Sequence, residues 1–316
     1  MCSTGDRIKI LVTGGAGYIG SCLVPELLKQ YKVTVLDNLT YGYTGLLPNI
    51  GNPNFEFIYG DIRNLKDIKN ALKGVDFVIH LAAIVGYPAC KAQPNLANEV
   101  NYAGTKKLVQ ASDVPFIFAS TGSCYGHIDE ECTETTFLSP QTEYAISKIN
   151  AENVIKECSD FIIYRFSTGF GLSLRPRLDL LINDFVTRAV RNKELIVYEK
   201  NYYRTFIHVK DMVGSLLFAM DHFDEMNHEI YNVGSEDLCL TKGDVAFRIQ
   251  KYVDFHLKFA DFGIDPDKRN YKVSFKKIRD LGFSTKYSVD YGIKELVKAL
   301  AFMDQKECYY NDKVIK

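Results

Sequence analysis

The sequence predicts an α/β protein with a doubly wound parallel sheet, followed by a smaller C-terminal α+β lobe. In residues 1–170, six apolar runs alternate with segments of helical periodicity, which is typical of repeated βα units. The runs are continuously apolar, as expected for strands buried on both faces of a parallel sheet. After residue 170 this alternation gives way to shorter, mixed segments.

The six predicted strands are RIKILVTG, KVTVLDN, FEFIYGD, VDFVIHLAA, VPFIFAST and DFIIYRFS. We expect residues 1–170 to form one domain and residues 171–316 to form mainly a second, smaller lobe. Within the second half, we expect segment 204–225 to rejoin the large sheet and the stretch from EIYNV onward to belong to the smaller lobe.

The composition excludes several classes of protein. Hydrophobic residues make up 47% and charged residues 24%, which is typical of a globular chain. A formal net charge of −1 gives no broad basic field for nucleic acid or an anionic membrane. Eight cysteines without a Cys-x-x-Cys pair, and six scattered histidines, predict neither a disulfide framework nor a metal site. With no leader sequence and no apolar run of membrane-spanning length, we expect a cytoplasmic protein.

A glycine-rich turn follows the first strand and opens a helix. Gly14, Gly17 and Gly20 have the spacing that permits a tight turn, a close approach to a pyrophosphate and close helix–strand packing. Asp37 ends the next strand, where its carboxylate would accept both hydroxyls of an adenosine ribose and repel a 2′-phosphate. Because strand, turn, helix and acid occur in this order, the sequence predicts NAD as the cofactor. Asp61, after the third strand, is either an acceptor for the adenine amino group or a turn residue.

Tyr144 and Lys148 are four residues apart on a predicted helix, so they share one face. A free tyrosine has a pKa of about 10, too high for a base at neutral pH. A nearby ammonium group and the positive nicotinamide ring would both favour the phenolate. Tyr144 could then take a hydroxyl proton while hydride leaves the same carbon. Thr121, at the end of the fifth strand, could hydrogen-bond the reacting oxygen, and Ser120 and Ser123 lie beside it.

These motifs, together with HLAA and RTFIHVKD, occur in the order seen in extended short-chain dehydrogenases/reductases. The chain resembles their NAD-dependent nucleotide-sugar epimerase/dehydratase family, including GDP-heptose 4-dehydrogenases and UDP-hexose 4-epimerases. The resemblance implies a Rossmann domain that holds NAD and a C-terminal lobe that holds a UDP- or GDP-linked sugar. It also implies a homodimer formed through helices near 95–112 and 144–158, and catalytic roles for Thr121, Tyr144 and Lys148.

The motifs and the resemblance together give the remaining site residues. The expected cofactor-binding residues are Gly14, Gly17, Tyr18, Ile19, Gly20, Asp37, Asn38, Asp61, Ile62, Leu81, Ala82, Ala83, Asn101, Ser120, Tyr144 and Lys148. The expected substrate-binding residues are Gly86, Tyr87, Thr121, Thr168, Arg177, Arg204 and Arg269, with Asp184 facing the same lobe. Thr168 stands where many relatives have a phosphate-binding asparagine. Arg204 and Arg269 could instead be solvated surface charges.

The residues after Thr121 bear on the reaction. Sugar 4,6-dehydratases of this family carry Asp-Glu there, whereas this chain has Gly122 and Ser123, which cannot exchange a proton usefully at neutral pH. Elimination of water is therefore disfavoured, and reversible oxidation at C4 remains. The product would be an epimer if hydride returns, or a ketone if it does not. A 4-keto-sugar reductase and a non-catalytic NAD-binding sensor or scaffold are the alternatives.

Overall fold

The structure is a computed structural model that describes residues 7–260, 270–304 and 306–315. The described strands are β1 (Lys9–Thr13), β2 (Lys32–Asp37), β3 (Phe55–Tyr59), β4 (Phe77–His80), β5 (Phe116–Thr121), β6 (His127–Cys132), β7 (Phe161–Phe166), β8 (Thr168–Phe170), β9 (Glu194–Tyr198), β10 (Tyr203–His208), β11 (Glu229–Val233), β12 (Cys239–Thr241), β13 (His256–Ala260) and β14 (Asn270–Val273).

The described α-helices cover both faces of the large sheet and build much of the smaller lobe. They are α1 (Gly20–Leu27), α2 (Leu65–Ala71), α3 (Tyr87–Ala92), α4 (Pro94–Asn98), α5 (Thr105–Gln110), α6 (Glu143–Ile155), α7 (Leu181–Asn192), α8 (Val209–Asp221), α9 (Phe223–Met226), α10 (Lys242–Gln250), α11 (Lys276–Asp280), α12 (Val289–Leu300) and α13 (Asn311–Val314). A π-helical segment, Glu99–Gly104, joins α4 to α5.

Seven parallel strands form the large sheet in the order β11-β7-β5-β4-β1-β2-β3. All six strands predicted from the sequence lie in it, which confirms the doubly wound α/β class. The chain runs outward from β1 to β3 and then returns to β4 on the other side of β1. This reversal opens a crevice at the carboxyl ends of β1 and β4, where ligands of such sheets bind.

Apolar side chains of these strands pack on both faces of the sheet, as the continuously apolar runs predict. Ile10 and Val12 of β1 contribute to the core on one face, whereas Leu11 contributes to the core on the other. This division follows from the two-residue repeat of a strand, because successive side chains point to opposite faces. A third cluster, which includes Phe170 and Phe206, forms the core of the smaller lobe.

Two predicted assignments in the second half of the chain are wrong. EIYNV, placed in the smaller lobe, is β11 and pairs in parallel with β7 as the seventh strand of the large sheet. β10, expected to rejoin the large sheet, pairs instead with β8 and β12 in a separate three-stranded sheet. Only α8 returns, to pack against α1. Both strands are short and largely buried, so apolar pattern alone could not show which sheet each joins.

Three observations on the described residues bear on the composition-based expectations. Seven cysteines there are free thiols. No group of three or more His, Cys, Asp or Glu residues in the described chain is placed to hold a metal ion. Within the same residues, no helix has both the length and the apolar character needed to cross a bilayer.

Candidate active site

Two adjoining cavities open at the carboxyl edge of the large sheet, each spanning about 950 Å³ when the solvent-filled space at its mouth is included. The first cavity lies along the loops that follow β1, β2, β3 and β4. The second lies over the ends of β5 and β7 and the start of α6. They share six lining residues, which are Tyr18, Ile19, Leu81, Ala83, Val85 and Arg177. The two cavities therefore meet at these side chains.

The glycine-rich turn forms the floor of the first cavity. Gly14 has φ +73°, and a Cβ atom there would lie 2.7 Å from the backbone nitrogen of Ala82. A Cβ atom at Gly20 would lie 2.6 Å from the carbonyl oxygen of Gly14. These glycines therefore let the turn press against the end of β4 and let α1 begin directly at the cavity. The N-terminal N–H groups of α1 are suited to bind a phosphate there.

Asp37 both shapes this turn and lines the first cavity. Its Oδ2 accepts a hydrogen bond from the Ala16 amide at 3.0 Å, and its Oδ1 accepts one from the Leu39 amide at 2.8 Å. Burial raises the pKa of Asp37, while these amides and the charge of Arg175 oppose that rise. Each carboxylate oxygen can accept a further hydrogen bond, so the geometry fits two ribose hydroxyls.

Asp61 also lines the first cavity, but its carboxylate is already bound. Arg63 donates from Nη2 to Oδ2 at 2.8 Å, and Asn38 donates to the same oxygen at 3.0 Å. Burial alone would raise the pKa of Asp61, but these hydrogen bonds outweigh it and lower the pKa to about 2. Of the two interpretations of Asp61, the structure favours that of a turn residue, whose bound carboxylate fixes the rim of the cavity.

Asn101, which the sequence predicts to contact the cofactor, is not among the residues that line the two cavities. It is buried in the π-helical segment, where its Oδ1 accepts from the Ile84 amide at 2.7 Å. Its Nδ2 donates to the Ile84 carbonyl at 2.9 Å and to Ser147 Oγ at 3.0 Å. Asn101 therefore holds the loop after β4 against α6 and positions the wall of the first cavity indirectly.

Thr121, Tyr144 and Lys148 all line the second cavity. Thr121 ends β5, and its hydroxyl donates to Ser123 Oγ at 3.0 Å. The side chain of Thr142 caps α6 by accepting from the Ala145 amide at 3.2 Å. That cap starts the helix directly before Tyr144 and places Lys148 one turn further on the same face. The three residues predicted to be catalytic are thus brought to one cavity.

Lys148 has an unusual environment for a lysine. It is only 3% exposed, and its Nζ lies 4.0 Å from the centroid of the Phe118 ring. Burial lowers the pKa of Lys148 to about 7, and the charge of Glu152 opposes that shift. Glu152 itself is buried, pairs with Arg165 at 2.8 Å and accepts from Ser120 Oγ at 2.5 Å. Ser120 therefore lines the cavity while its hydroxyl donates away toward this ion pair.

The residues expected to bind substrate are partly brought together. Gly86, Tyr87, Thr168 and Arg177 line the second cavity. Arg177 also lines the first cavity and pairs with Asp179 at 2.6 Å.

Arg204 and Asp184, which were also expected to face the substrate, line neither cavity. Arg204 is 1% exposed on β10, so it is not the solvated surface charge considered as its alternative. Asp184 pairs with Arg188 on α7. Arg269 lies outside the described residues.

The surroundings of position 122 show what the second cavity lacks. A Cβ atom on Gly122 would lie 3.4 Å from the Tyr271 hydroxyl oxygen. Tyr271 comes from β14 and lines the second cavity with Ser123. Among the described residues that line this cavity, none is an aspartate or a glutamate. Its hydroxyl, phenol and amine groups can exchange one proton with a substrate oxygen, but the part of its lining that the structure describes offers no pair of carboxyl groups.

Sequence reasoning missed several lining residues, because they come from distant parts of the chain. Tyr41, Arg175 and Asn311 line the first cavity, and Met212 and Tyr271 line the second. Arg175 and Arg177 both lie in the segment LSLRPRL, but only Arg177 was singled out. The neighbouring Arg177 was the signal in the sequence that could have pointed to Arg175.

A Rossmann-type sheet with a glycine-rich turn, beside a cavity that holds Thr121, Tyr144 and Lys148, defines a dinucleotide-dependent short-chain oxidoreductase. Residues 10–234 match the model of the NAD dependent epimerase/dehydratase family. The chain belongs to this family, and its cofactor is NAD.

Two curated proteins similar to this chain come from archaea. A protein of Methanocaldococcus jannaschii, provisionally named a UDP-glucose 4-epimerase, is 30% identical over 311 residues, covering 91% of this chain and 97% of its own. The low-salt glycan biosynthesis protein Agl12 of Haloferax volcanii is 30% identical over 310 residues, covering 92% of this chain and 97% of its own.

Solved structures include relatives that carry out two different reactions. The UDP-glucuronic acid 4-epimerase of Bacillus cereus, solved with NAD, superposes with a TM-score of 0.81 at 25% identity, covering 93% of this chain and 96% of its own. The dTDP-glucose 4,6-dehydratase DesIV of Streptomyces venezuelae, solved with NAD and TYD, gives 0.80 at 29% identity, covering 92% and 96%. Similarity alone therefore does not separate epimerase from dehydratase.

Proposed function

We propose that this protein uses NAD to oxidise C4 of a UDP- or GDP-linked sugar, without removing water. It would act as a nucleotide-sugar 4-epimerase or 4-dehydrogenase in the synthesis of surface-polysaccharide precursors. The observation that carries the proposal is the second cavity, which combines Thr121, Tyr144 and Lys148 with no carboxylate among the described residues that line it. Its contact with the first cavity supports direct hydride transfer between a sugar and a dinucleotide.

Bound NAD would supply the hydride acceptor. The phenol of Tyr144 would take the proton of the sugar hydroxyl as that oxygen becomes a carbonyl. Lys148, one helical turn away, would favour the phenolate through its positive charge. Thr121 would turn its hydroxyl from Ser123 to the reacting oxygen and donate a hydrogen bond to it. In the reverse direction, Tyr144 would return the proton to the same oxygen.

A carboxyl pair, which is not found among the described residues of the second cavity, is what dehydration needs beyond oxidation. Loss of water needs an acid for the departing C6 hydroxyl and a base for the C5 proton, in addition to the C4 chemistry. Gly122 and Ser123 supply neither, and no other described residue of the second cavity supplies a carboxylate. The similarity to named 4-epimerases supports return of hydride to the ketosugar.

Mass spectrometry after incubation with UDP-, GDP-, CDP- and dTDP-sugars tests the proposal. A new stereoisomer of unchanged mass identifies an epimerase, and loss of two hydrogens identifies a dehydrogenase. A product that has lost water contradicts the proposal. Reaction only with a 4-keto sugar and NADH would identify a reductase, and NAD binding without any reaction would identify a sensor or scaffold.

We also propose a cytoplasmic homodimer formed through α4, α5 and α6. Ile146 on α6 is 41% exposed, which supports a contact of this helix with a partner. The seven free thiols of the described chain support a reducing compartment. Light scattering on a gel-filtration peak tests the assembly: we expect a dimer that Ile146→Glu converts to a monomer, and a wild-type monomer contradicts the proposal.

A further inference from the structure

The segment 307–315, called here the C-terminal segment, lies across the junction between the two lobes. The Leu178 amide donates to the carbonyl oxygen of Tyr309 at 2.8 Å. Asn311 Nδ2 donates to the carbonyl oxygen of Val85, in the loop after β4, at 3.1 Å. Ile315 is buried in the core on one face of the large sheet. The segment thereby contributes Asn311 to the lining of the first cavity.

Arg175 connects this segment to the first cavity. Its Nη2 donates to Asn311 Oδ1 and to the carbonyl oxygen of Cys308, both at 2.8 Å. Its guanidinium carbon lies 4.2 Å from the centroid of the Tyr41 ring. The residue is 2% exposed and lines the first cavity, but its Nε has no hydrogen-bond partner.

Arg175 has no direct ion pair among the described residues. Its side-chain hydrogen bonds go to a carbonyl and an amide oxygen, and no carboxylate of the described residues lies within ion-pair distance of it. A buried charge without a direct ion pair is costly, and burial together with the nearby Arg177 lowers the pKa of Arg175 to about 10, although the charge of Asp179 opposes that shift. The same cavity contains the glycine-rich turn and the start of α1, both suited to a phosphate.

We propose that Arg175 binds the pyrophosphate of NAD through Nε, and that Asn311 holds the guanidinium in place for this contact. The pyrophosphate would supply the direct ion-pair partner that the buried arginine lacks. The glycine-rich turn would bind it from one side and Arg175 from the other, so the C-terminal segment would help to retain the cofactor between turnovers. Arg175 is thus a further cofactor-binding residue, and Asn311 is its positioning residue.

The test compares three ligands on the full-length protein freed of co-purified nucleotide. Adenosine lacks phosphate, ADP adds the pyrophosphate, and NAD adds the nicotinamide half. We expect Arg175→Met to weaken ADP and NAD binding by about 10- to 100-fold, because a charge-assisted hydrogen bond is lost. Adenosine affinity should stay within about twofold, because adenosine has no group for Arg175 to bind. Asn311→Ala should weaken ADP and NAD in the same selective way, by less.

Arg191→Met is the matched control. Arg191 is exposed, lines neither cavity and donates to the carbonyl oxygen of Met303, near the same end of the chain. All three affinities should be unchanged in this variant. Equal losses of adenosine and ADP in Arg175→Met would show a structural role and overturn the proposal, as would unchanged ADP affinity. If Arg175→Met does not fold, unchanged ADP binding by Asn311→Ala overturns it.

The inference rests on NAD as the cofactor and does not depend on the proposed C4 chemistry. Sugar turnover is not measured in the ligand series, so failure of the C4 chemistry would leave the binding result intact. Conversely, a normal ADP affinity in Arg175→Met would leave the roles of Tyr144 and Lys148 untouched.

Discussion

The first and second cavities adjoin each other and share six lining residues, yet the chain builds them differently. The floor of the first cavity is backbone from one local motif, between β1 and the start of α1. The reactive groups of the second cavity are side chains from β5 and α6, which Phe166, Thr168 and Tyr271 complete from later in the chain. A backbone site depends on which residues lack a side chain, whereas a side-chain site depends on which chemical groups converge.

The largest effect that we predict from this comparison is the loss of turnover on substitution of Tyr144. Tyr144→Phe should lower the turnover rate by about 10²- to 10⁴-fold, because the general base is lost while the ring remains. NAD binding should persist, since the first cavity is unchanged. Turnover assays with calorimetric NAD titrations check this, with the exposed Tyr59→Phe as the control. Near-normal turnover would remove Tyr144 from its proposed role.

At Gly14 we expect loss of NAD binding instead, because the first cavity depends on the absence of a side chain there. Gly14→Ala should destabilise the protein by about 2–5 kcal/mol and abolish NAD binding, because the new Cβ meets the Ala82 backbone and φ is positive. Gly42→Ala is the matched control, since φ is +92° but no atom lies within 4 Å. It should cost only about 1–2 kcal/mol. Equal losses of stability would show that backbone strain, not contact with β4, sets the requirement at Gly14.

Lys148 gives a smaller effect on stability, with a defined pH dependence. Its pKa falls from 10.5 to about 7 in the folded protein, so between these values the unfolded chain binds more protons. The contribution of Lys148 to the free energy of unfolding is therefore lowest below pH 7 and rises as the pH increases toward 10. Lys148→Met should raise the free energy of unfolding at pH 6 by about 1–3 kcal/mol and flatten this rise, while turnover is lost.

Denaturant unfolding from pH 6 to pH 10 measures this effect. Lys156→Met, which removes an exposed lysine at the end of the same helix, should leave the profile as in the wild type. If the pH profile of Lys148→Met matches that of the wild type, then the buried amine is neutral over the whole pH range, or another group already compensates its charge.

The predictability of each region follows from how local its determinants are. The six strands, the glycine-rich turn and the Tyr144–Lys148 pair were predictable because each is set by residues close in sequence. β11 was misassigned because its apolar pattern fits either sheet. Arg175 and Asn311 are 136 residues apart and meet only through packing of the two lobes, so no local pattern could reveal their contact.

Polar residues were the hardest to place. Asn101 was expected at the cofactor, but its amide is satisfied by Ile84 and Ser147 beneath the cavity wall. Asp61 lines the first cavity as expected, but its carboxylate is held by Arg63. A sequence shows which groups can hydrogen-bond, and only the fold shows which of them are already occupied.

A single-turnover experiment with a nucleotide sugar deuterated at C4 tests the central claim most directly. We predict that deuterium passes to the enzyme-bound nicotinamide and either returns to C4 of an inverted product or remains on NADH beside a 4-ketosugar of otherwise unchanged composition. Elimination of water from the sugar, or a stereochemical change at C4 without transient reduction of bound NAD, would contradict the account.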